Sequence, residues 1–188
     1  MVVKKRCEWA ISDPIYIKYH DTEWGVPLYD DYKLFEFLVL DGAQAGLSWL
    51  TILKKRENYR LAFDNFNPEK IAVYTDRKIS RLLADKGIIR NRLKIISAIR
   101  NAKAFLAVQE KYNGFSKYIW QFTDGRIIKN RWRLPTDLPA KTKESTAMSK
   151  ALKQDGFNFV GPVICYAFMQ AAGMVNDHFV DCFRYSEV

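Results

Sequence analysis

Cys7 and His20 stand near one end of the chain and His178 and Cys182 near the other; these are both of its histidines and two of its three cysteines. Two thiolates and two imidazoles make a full tetrahedral zinc set. A shell filled by four protein donors leaves no position for water or substrate, so an ion held there would tie the chain ends together and do no chemistry. The spacing of His178 and Cys182, four apart, suits two ligands from one turn, whereas the step from Cys7 to His20 fits no standard finger. On spacing alone a second reading stands beside the first: small buried thiols and core imidazoles with no ion.

Catalytic groups must then be sought elsewhere, and the segment from Cys7 to Trp49 is the richest. Among its aromatics, Trp9, Tyr16, Tyr19, Trp24 and Trp49 stand together with Asp41, Gln44 and Gly46. Aromatic clusters also build ordinary cores. The run Asp41-Gly42-Ala43-Gln44-Ala45-Gly46-Leu47-Ser48-Trp49 adds a carboxylate and small residues that permit close approach. An electron-rich face beside a carboxylate is what a positively charged planar ligand, such as an alkylated purine, requires.

The elements that must position these groups read as helices. Leu34, Phe35, Leu38 and Val39 begin a stripe after Asp30-Asp31, whose carboxylates suit a helix N-terminus. A second helix opens near Ser48 and buries Leu50, Leu53 and Tyr59 on its way to Phe63, with Lys54, Lys55, Arg56 and Arg60 outward. Asn67-Pro68-Glu69 and Thr75-Asp76 mark two further helix starts, and a long periodic segment runs from Arg90 to about Tyr112. Residues 121–142, with Pro135 and Pro139, read as a long surface connection. Ser145 is expected to cap a helix to Gln154, and Gly161-Pro162 to open another through Met169 to Ala172. Between these two lies Gly156-Phe157-Asn158-Phe159-Val160-Gly161, a hairpin that would turn free backbone N–H groups toward a DNA phosphate, or else a plain interhelix turn. No strand pattern stands out, so the fold is expected to be almost wholly helical.

Composition bounds the rest. A chain of 188 residues supports one core or two joined lobes. Lys and Arg outnumber Asp and Glu by 30 to 21, a net charge of +9 that favours a polyanionic partner. Five basic residues and no acid lie between Lys86 and Arg100, and six against Asp137 alone between Arg126 and Lys143. No run is long enough to span a membrane and no apolar leader is evident, so a cytoplasmic protein is expected. Three cysteines argue against a disulfide framework, and Cys165 sits in an apolar stretch where a buried thiol belongs.

Several separated blocks occur in one order: Arg6-Cys7-x-Trp9, Asp13-Pro14-x-Tyr16, Tyr19-His20-Asp21-x-Glu23-Trp24-Gly25-Val26-Pro27, Gln44 to Trp49, Ile52 to Arg56, Gly87 to Ile95, Gly156 to Gly161 and Val175-Asn176-Asp177-His178 to Cys182. Together they closely resemble the DNA-3-methyladenine glycosylase I family, over nearly the whole chain except residues 113–143. The resemblance implies an all-α, two-lobed helix-hairpin-helix DNA glycosylase formed by residues 1–188 as one unit, with the hairpin near 156–161; a monomer is expected. It implies one structural zinc on Cys7, His20, His178 and Cys182, joining the N- and C-terminal segments. It places Trp49 on the flipped base, Tyr16, Tyr19, Trp9 and Trp24 around it, and Asp41 as the catalytic carboxylate. Gly46 and Leu47 would enter the gap in the duplex, and Gly156, Phe159, Val160 and Gly161 would hold a phosphate of double-stranded DNA containing alkylated bases.

One position departs from the pattern: the family has glutamate where this chain has Asp41. The carboxylate is withdrawn by about 1.5 Å, one carbon–carbon bond, and a misplacement of order 1 Å can cost roughly a hundredfold in rate. The expected activity is hydrolysis of the N-glycosidic bond of 3-methyladenine without a lyase step, since no lysine lies in the pocket motif. The rival is a damage-binding protein that has lost turnover through Asp41. Asp177 lies where the wider superfamily often carries a catalytic aspartate, and no such role is assigned to it.

Overall fold

The structure, a computed structural model, describes residues 4–188. A 3-10 turn at Glu8–Ser12 leads into helix α1 (Pro14–Thr22), opened by Pro14 at its first position and by the Asp13 carboxylate, which accepts from the backbone N–H of Ile15. Helix α2 (Asp31–Gln44) is capped by Asp30 and buries every residue from Leu34 to Ala43. A helix buried on all sides has no solvent stripe, and α2 is accordingly central, packing on several helices that follow it in the chain.

Helix α3 (Trp49–Ala62) starts at Ser48, whose hydroxyl accepts from Thr51 N–H. Helices α4 (Pro68–Ala72) and α5 (Asp76–Ala84) start at Asn67 and Thr75 as the sequence signals require. The long helix α6 (Arg92–Tyr112) begins two residues later than expected because Asn91 supplies its cap, accepting from Lys94 N–H. It packs on α2, α4 and α5.

The stretch that the resemblance leaves out, residues 113–143, is partly internal. Residues 115–120, just ahead of the expected surface connection, form helix α7 (Phe115–Trp120), with Phe115, Tyr118, Ile119 and Trp120 buried. Its N-terminus is held by Asp31, whose carboxylate accepts from Phe115 N–H and Ser116 N–H at 2.8 Å each. The fold is mostly helical, as expected; among the described residues the one ladder is β1 (Ile128–Lys129) paired in parallel with β2 (Val175–Asn176), two residues long and too short to leave an alternating pattern.

Helix α8 (Lys143–Gln154) is capped by Thr142 and not by Ser145; Ser145 is the third helical residue and reaches back to Thr142 N–H, completing a reciprocal cap. Helix α9 (Pro162–Ala171) follows a tight turn and packs against α8 and α2. One hydrophobic cluster extends from Cys7 to Cys182 and joins these helices. Gly173 is required where α9 ends: its φ is +66°, and a Cβ there would lie 2.3 Å from the Val26 carbonyl carbon.

Candidate active site

Trp9, Tyr16, Tyr19, Trp24, Asp41 and Trp49, the residues singled out in sequence, line one cavity of about 260 Å³. Trp9 organises its wall, meeting Tyr16 edge-on at 5.4 Å and Trp24 at 4.9 Å between ring centroids. Tyr16 is anchored by accepting Leu50 N–H at 2.9 Å, which ties α1 to the start of α3. Tyr19 and Trp49 lie 5.6 Å apart with their planes tilted by 55°.

Asp41 occupies the last turns of α2 and is 2% exposed. Its Oδ2 has no hydrogen-bond partner, and neither does the equally buried indole Nε1 of Trp49. Burial pushes the Asp41 carboxyl well above the usual carboxylate range. Tyr19 is pushed up as well, by burial first and then by the charges of Asp41 and Glu23. An unmade bond on a buried polar atom costs about 1–3 kcal/mol. Both residues line the same aromatic cavity, a place where a polar, flat ligand can complete what the fold leaves open.

The turn after Asp41 is braced from α6. Lys94 donates its ammonium to the carbonyls of Ala43 and Ala45, both at 2.7 Å, satisfying acceptors that the end of α2 leaves free. Burial lowers the Lys94 pKa. Beyond this clamp Gly46 takes φ +77° and Leu47 projects into solvent. One turn and more along α6, Asn101 exchanges two hydrogen bonds with the backbone of Asn158. Helix α6 therefore holds both the Gly46-Leu47 tip and the turn at residues 156–161. In that turn Phe159 adopts φ +54°, unusual for a side chain with a Cβ.

Arg56 is a correction. It was expected to face solvent, yet its guanidinium is mostly buried between Glu23 and Glu36, at 2.6 Å from each. It lies 5.2 Å from the Phe37 ring, which in turn lies 6.5 Å from Tyr19, so the ion pairs stiffen the cavity from behind.

The terminal residues also meet. One donor atom from each of Cys7, His20, His178 and Cys182 lies within 4.8 Å of the other three, and all four residues are buried. Cys182 Sγ is 3.4 Å from His20 Nε2 and 3.6 Å from His178 Nδ1, and Cys7 Sγ is 3.8 Å from His178 Nδ1. Each imidazole uses its other nitrogen elsewhere: His20 Nδ1 on Asp21 at 2.8 Å, His178 Nε2 on the Trp24 carbonyl at 3.1 Å. Gly25 must lack a side chain here, since a Cβ would lie 2.9 Å from His178 Nε2.

Asp177, beside this cluster, is a buried hub. One carboxylate oxygen accepts from Asn130 and Trp132 at 2.7 Å each, the other from Tyr166 at 2.6 Å and Gln170 at 2.8 Å. With four donors in place it has no lone pair left for substrate, which agrees with assigning it no catalytic role.

Sequence reading missed four wall residues. Leu138 comes from the segment read as a surface connection, and Ala167, Gln170 and Ala171 from the apolar helix α9. Pro135 and Pro139 bracket Leu138, but nothing local reports that its side chain turns inward.

The family model for methyladenine glycosylase matches residues 9–185. The chain is 49% identical over 181 residues to DNA-3-methyladenine glycosylase 1 of Escherichia coli (strain K12), covering 96% of this chain and 97% of that one. It is 49% identical over 177 residues to DNA-3-methyladenine glycosylase of Haemophilus influenzae, covering 94% and 96%. A crystal structure of 3-methyladenine DNA glycosylase I superposes with a TM-score of 0.93 at 50% identity, over 95% of this chain and 98% of that one. The Staphylococcus aureus enzyme, solved for its recognition of 3-methyladenine, superposes with a TM-score of 0.91 at 40% identity, over 95% of each chain. The chain belongs to the methyladenine glycosylase family.

Proposed function

We propose that this protein is a monofunctional DNA glycosylase that flips 3-methyladenine out of alkylated double-stranded DNA and hydrolyses its N-glycosidic bond. The observation that carries the reading is that Asp41 and Trp49, two residues lining the aromatic cavity, each keep a buried polar atom without a partner. Flipping costs a few kcal/mol, and least for a damaged base. Stacking on Trp49 returns about 1–3 kcal/mol.

Methylation at N3 leaves the base cationic and its bond to the sugar weak. As that bond breaks, its electron pair neutralises the base, so no proton need be donated to the leaving group. Positive charge grows at C1′, the Asp41 carboxylate stabilises it, and water adds there with loss of a proton to solvent. The cation also favours the ionised form of Asp41, opposing the effect of burial. Leu47 would fill the gap in the duplex. The turn at Gly156, Phe159, Val160 and Gly161, a helix-hairpin-helix between α8 and α9, would hold a phosphate, with the base received between two helical lobes.

We further assign one structural zinc to Cys7, His20, His178 and Cys182. In a tetrahedral shell, bond lengths of about 2.0–2.3 Å put neighbouring donors roughly 3.6 Å apart. The S···N distances of 3.4–3.8 Å fit that edge, and Asp21 and the Trp24 carbonyl orient the imidazoles as supporting partners do. Zinc there would join the chain termini, and a cytoplasmic monomer fits the three unpaired thiols. Metal analysis of purified protein should give one zinc per chain, and serine at Cys182 should abolish it.

The reading is tested by release of free 3-methyladenine from methylated DNA, with Asp41→Glu alongside. Release by the wild-type chain supports a glycosylase. No release by wild type, with release restored by Asp41→Glu, would instead identify a damage-binding protein.

A further inference from the structure

Gln170 is a pocket residue whose orientation is dictated by chemistry. Its amide nitrogen donates to Asp177 Oδ2 at 2.8 Å. The other three groups on that carboxylate, Tyr166 O–H, Asn130 N–H and Trp132 N–H, are donors as well. An ionised carboxylate only accepts, so the NH₂ side of the Gln170 amide must face Asp177 and its Oε1 must face away. Among the described residues no donor reaches Oε1, and Oε1 is not among the sealed, unpartnered atoms. The residue lines the same cavity as Asp41 and Trp49, between Ala167 and Ala171, whose small side chains leave room beside it.

A nucleotide of 3-methyladenine has N3 occupied by methyl and N9 by the sugar, so the only N–H group its base offers is the exocyclic amine. Resting on the function proposed above, we infer that Gln170 is a specificity-determining residue: its fixed Oε1 accepts from that amine and rejects purines that carry a carbonyl at the same position. Asp41 cannot make this distinction alone. A carboxyl that gains or loses a proton can present either a donor or an acceptor, whereas an amide locked by four-donor Asp177 presents only an oxygen.

The two small residues and the hub also explain why the task falls to Gln170. Asp177 is spent on structure, and Tyr16 already accepts from Leu50. Facing an oxo-purine, two acceptor oxygens would meet with no proton between them, a loss that a site built for a hydrogen bond registers strongly.

The test is a fluorescence titration of the full chain with 3-methyladenine and with 3-methylhypoxanthine, for wild type and Gln170→Met. Wild type should bind the amino base at least about tenfold tighter, and Gln170→Met should bring the two within about threefold, chiefly by weakening 3-methyladenine. An unchanged ratio in Gln170→Met would overturn the inference. Should that variant fail to fold, a crystal structure of wild type with 3-methyladenine decides: Oε1 within about 3.2 Å of the exocyclic nitrogen is the expected result, and a separation beyond about 4 Å overturns it. If wild type binds no 3-methyladenine at all, the proposed function itself falls, and this inference with it.

Discussion

Asp41 and Asp177 are buried to the same extent, each 2% exposed, and they live in opposite worlds. Asp177 collects four donors and binds the connection, α9 and the start of the terminal cluster into one piece. Asp41 keeps an oxygen with no partner, beside an indole N–H that also has none. Burial alone does not say whether an acidic group is structural or functional; the state of its hydrogen bonds does. The same contrast separates the Cys/His cluster, where each imidazole has both nitrogens engaged, from the aromatic cavity, where polar atoms wait for a ligand.

The largest effect expected from this contrast is on Asp177. Asp177→Ala strands four buried donors and should destabilise by about 3 kcal/mol or more, a fall of roughly 6–12 °C in Tm for a chain of this size, read by calorimetry. Stability equal to wild type would mean the hub holds nothing. Next comes Trp49→Ala, which should cut kcat/KM on methylated DNA by about 5- to 150-fold, the loss of about 1–3 kcal/mol of stacking, while leaving affinity for undamaged duplex nearly unchanged.

Lys94→Met keeps length and loses the charge-assisted clamp on Ala43 and Ala45. About 1–2 kcal/mol of stability should go with it, and kcat should fall more than KM rises, because Asp41 and the Leu47 tip ride on the clamped turn. Lys94→Arg should restore part of both; a fall in Tm with kcat intact would leave Lys94 a purely structural brace.

The smallest effect has a diagnostic pH dependence. Burial raises the Asp41 pKa in the folded chain, so between the ordinary carboxyl pKa and that raised value the native state holds a proton that the unfolded chain has released. Stability therefore declines as pH rises through this window and is fullest below it. Asp41→Asn removes the decline, so its stability relative to wild type should improve by about 1.4 kcal/mol for each pH unit across the window. Parallel pH–stability curves for the two proteins would show that Asp41 is not desolvated.

Much of this site is legible in the sequence because its signals are local or compositional. Asp30, Ser48 and Asn67 announce their helices by side-chain capping, and the two histidines and two of the cysteines are rare enough to be paired across the chain without coordinates. What escapes is decided by distant partners. Arg56 looks solvated among lysines until Glu23 and Glu36 enclose it. Leu138 reads as loop, α7 owes its start to Asp31 more than eighty residues earlier, and Gln170 matters only because Asp177 fixes which way its amide points.

The central claim is that the unpartnered carboxyl of Asp41 acts on a flipped, cationic base. Single-turnover release of 3-methyladenine from methylated duplex by wild type and Asp41→Asn tests it most directly. The account predicts release by wild type at a rate at least about a hundredfold above that of the variant, the scale of losing one electrostatic group in a dry site. Equal rates in the two proteins would contradict it.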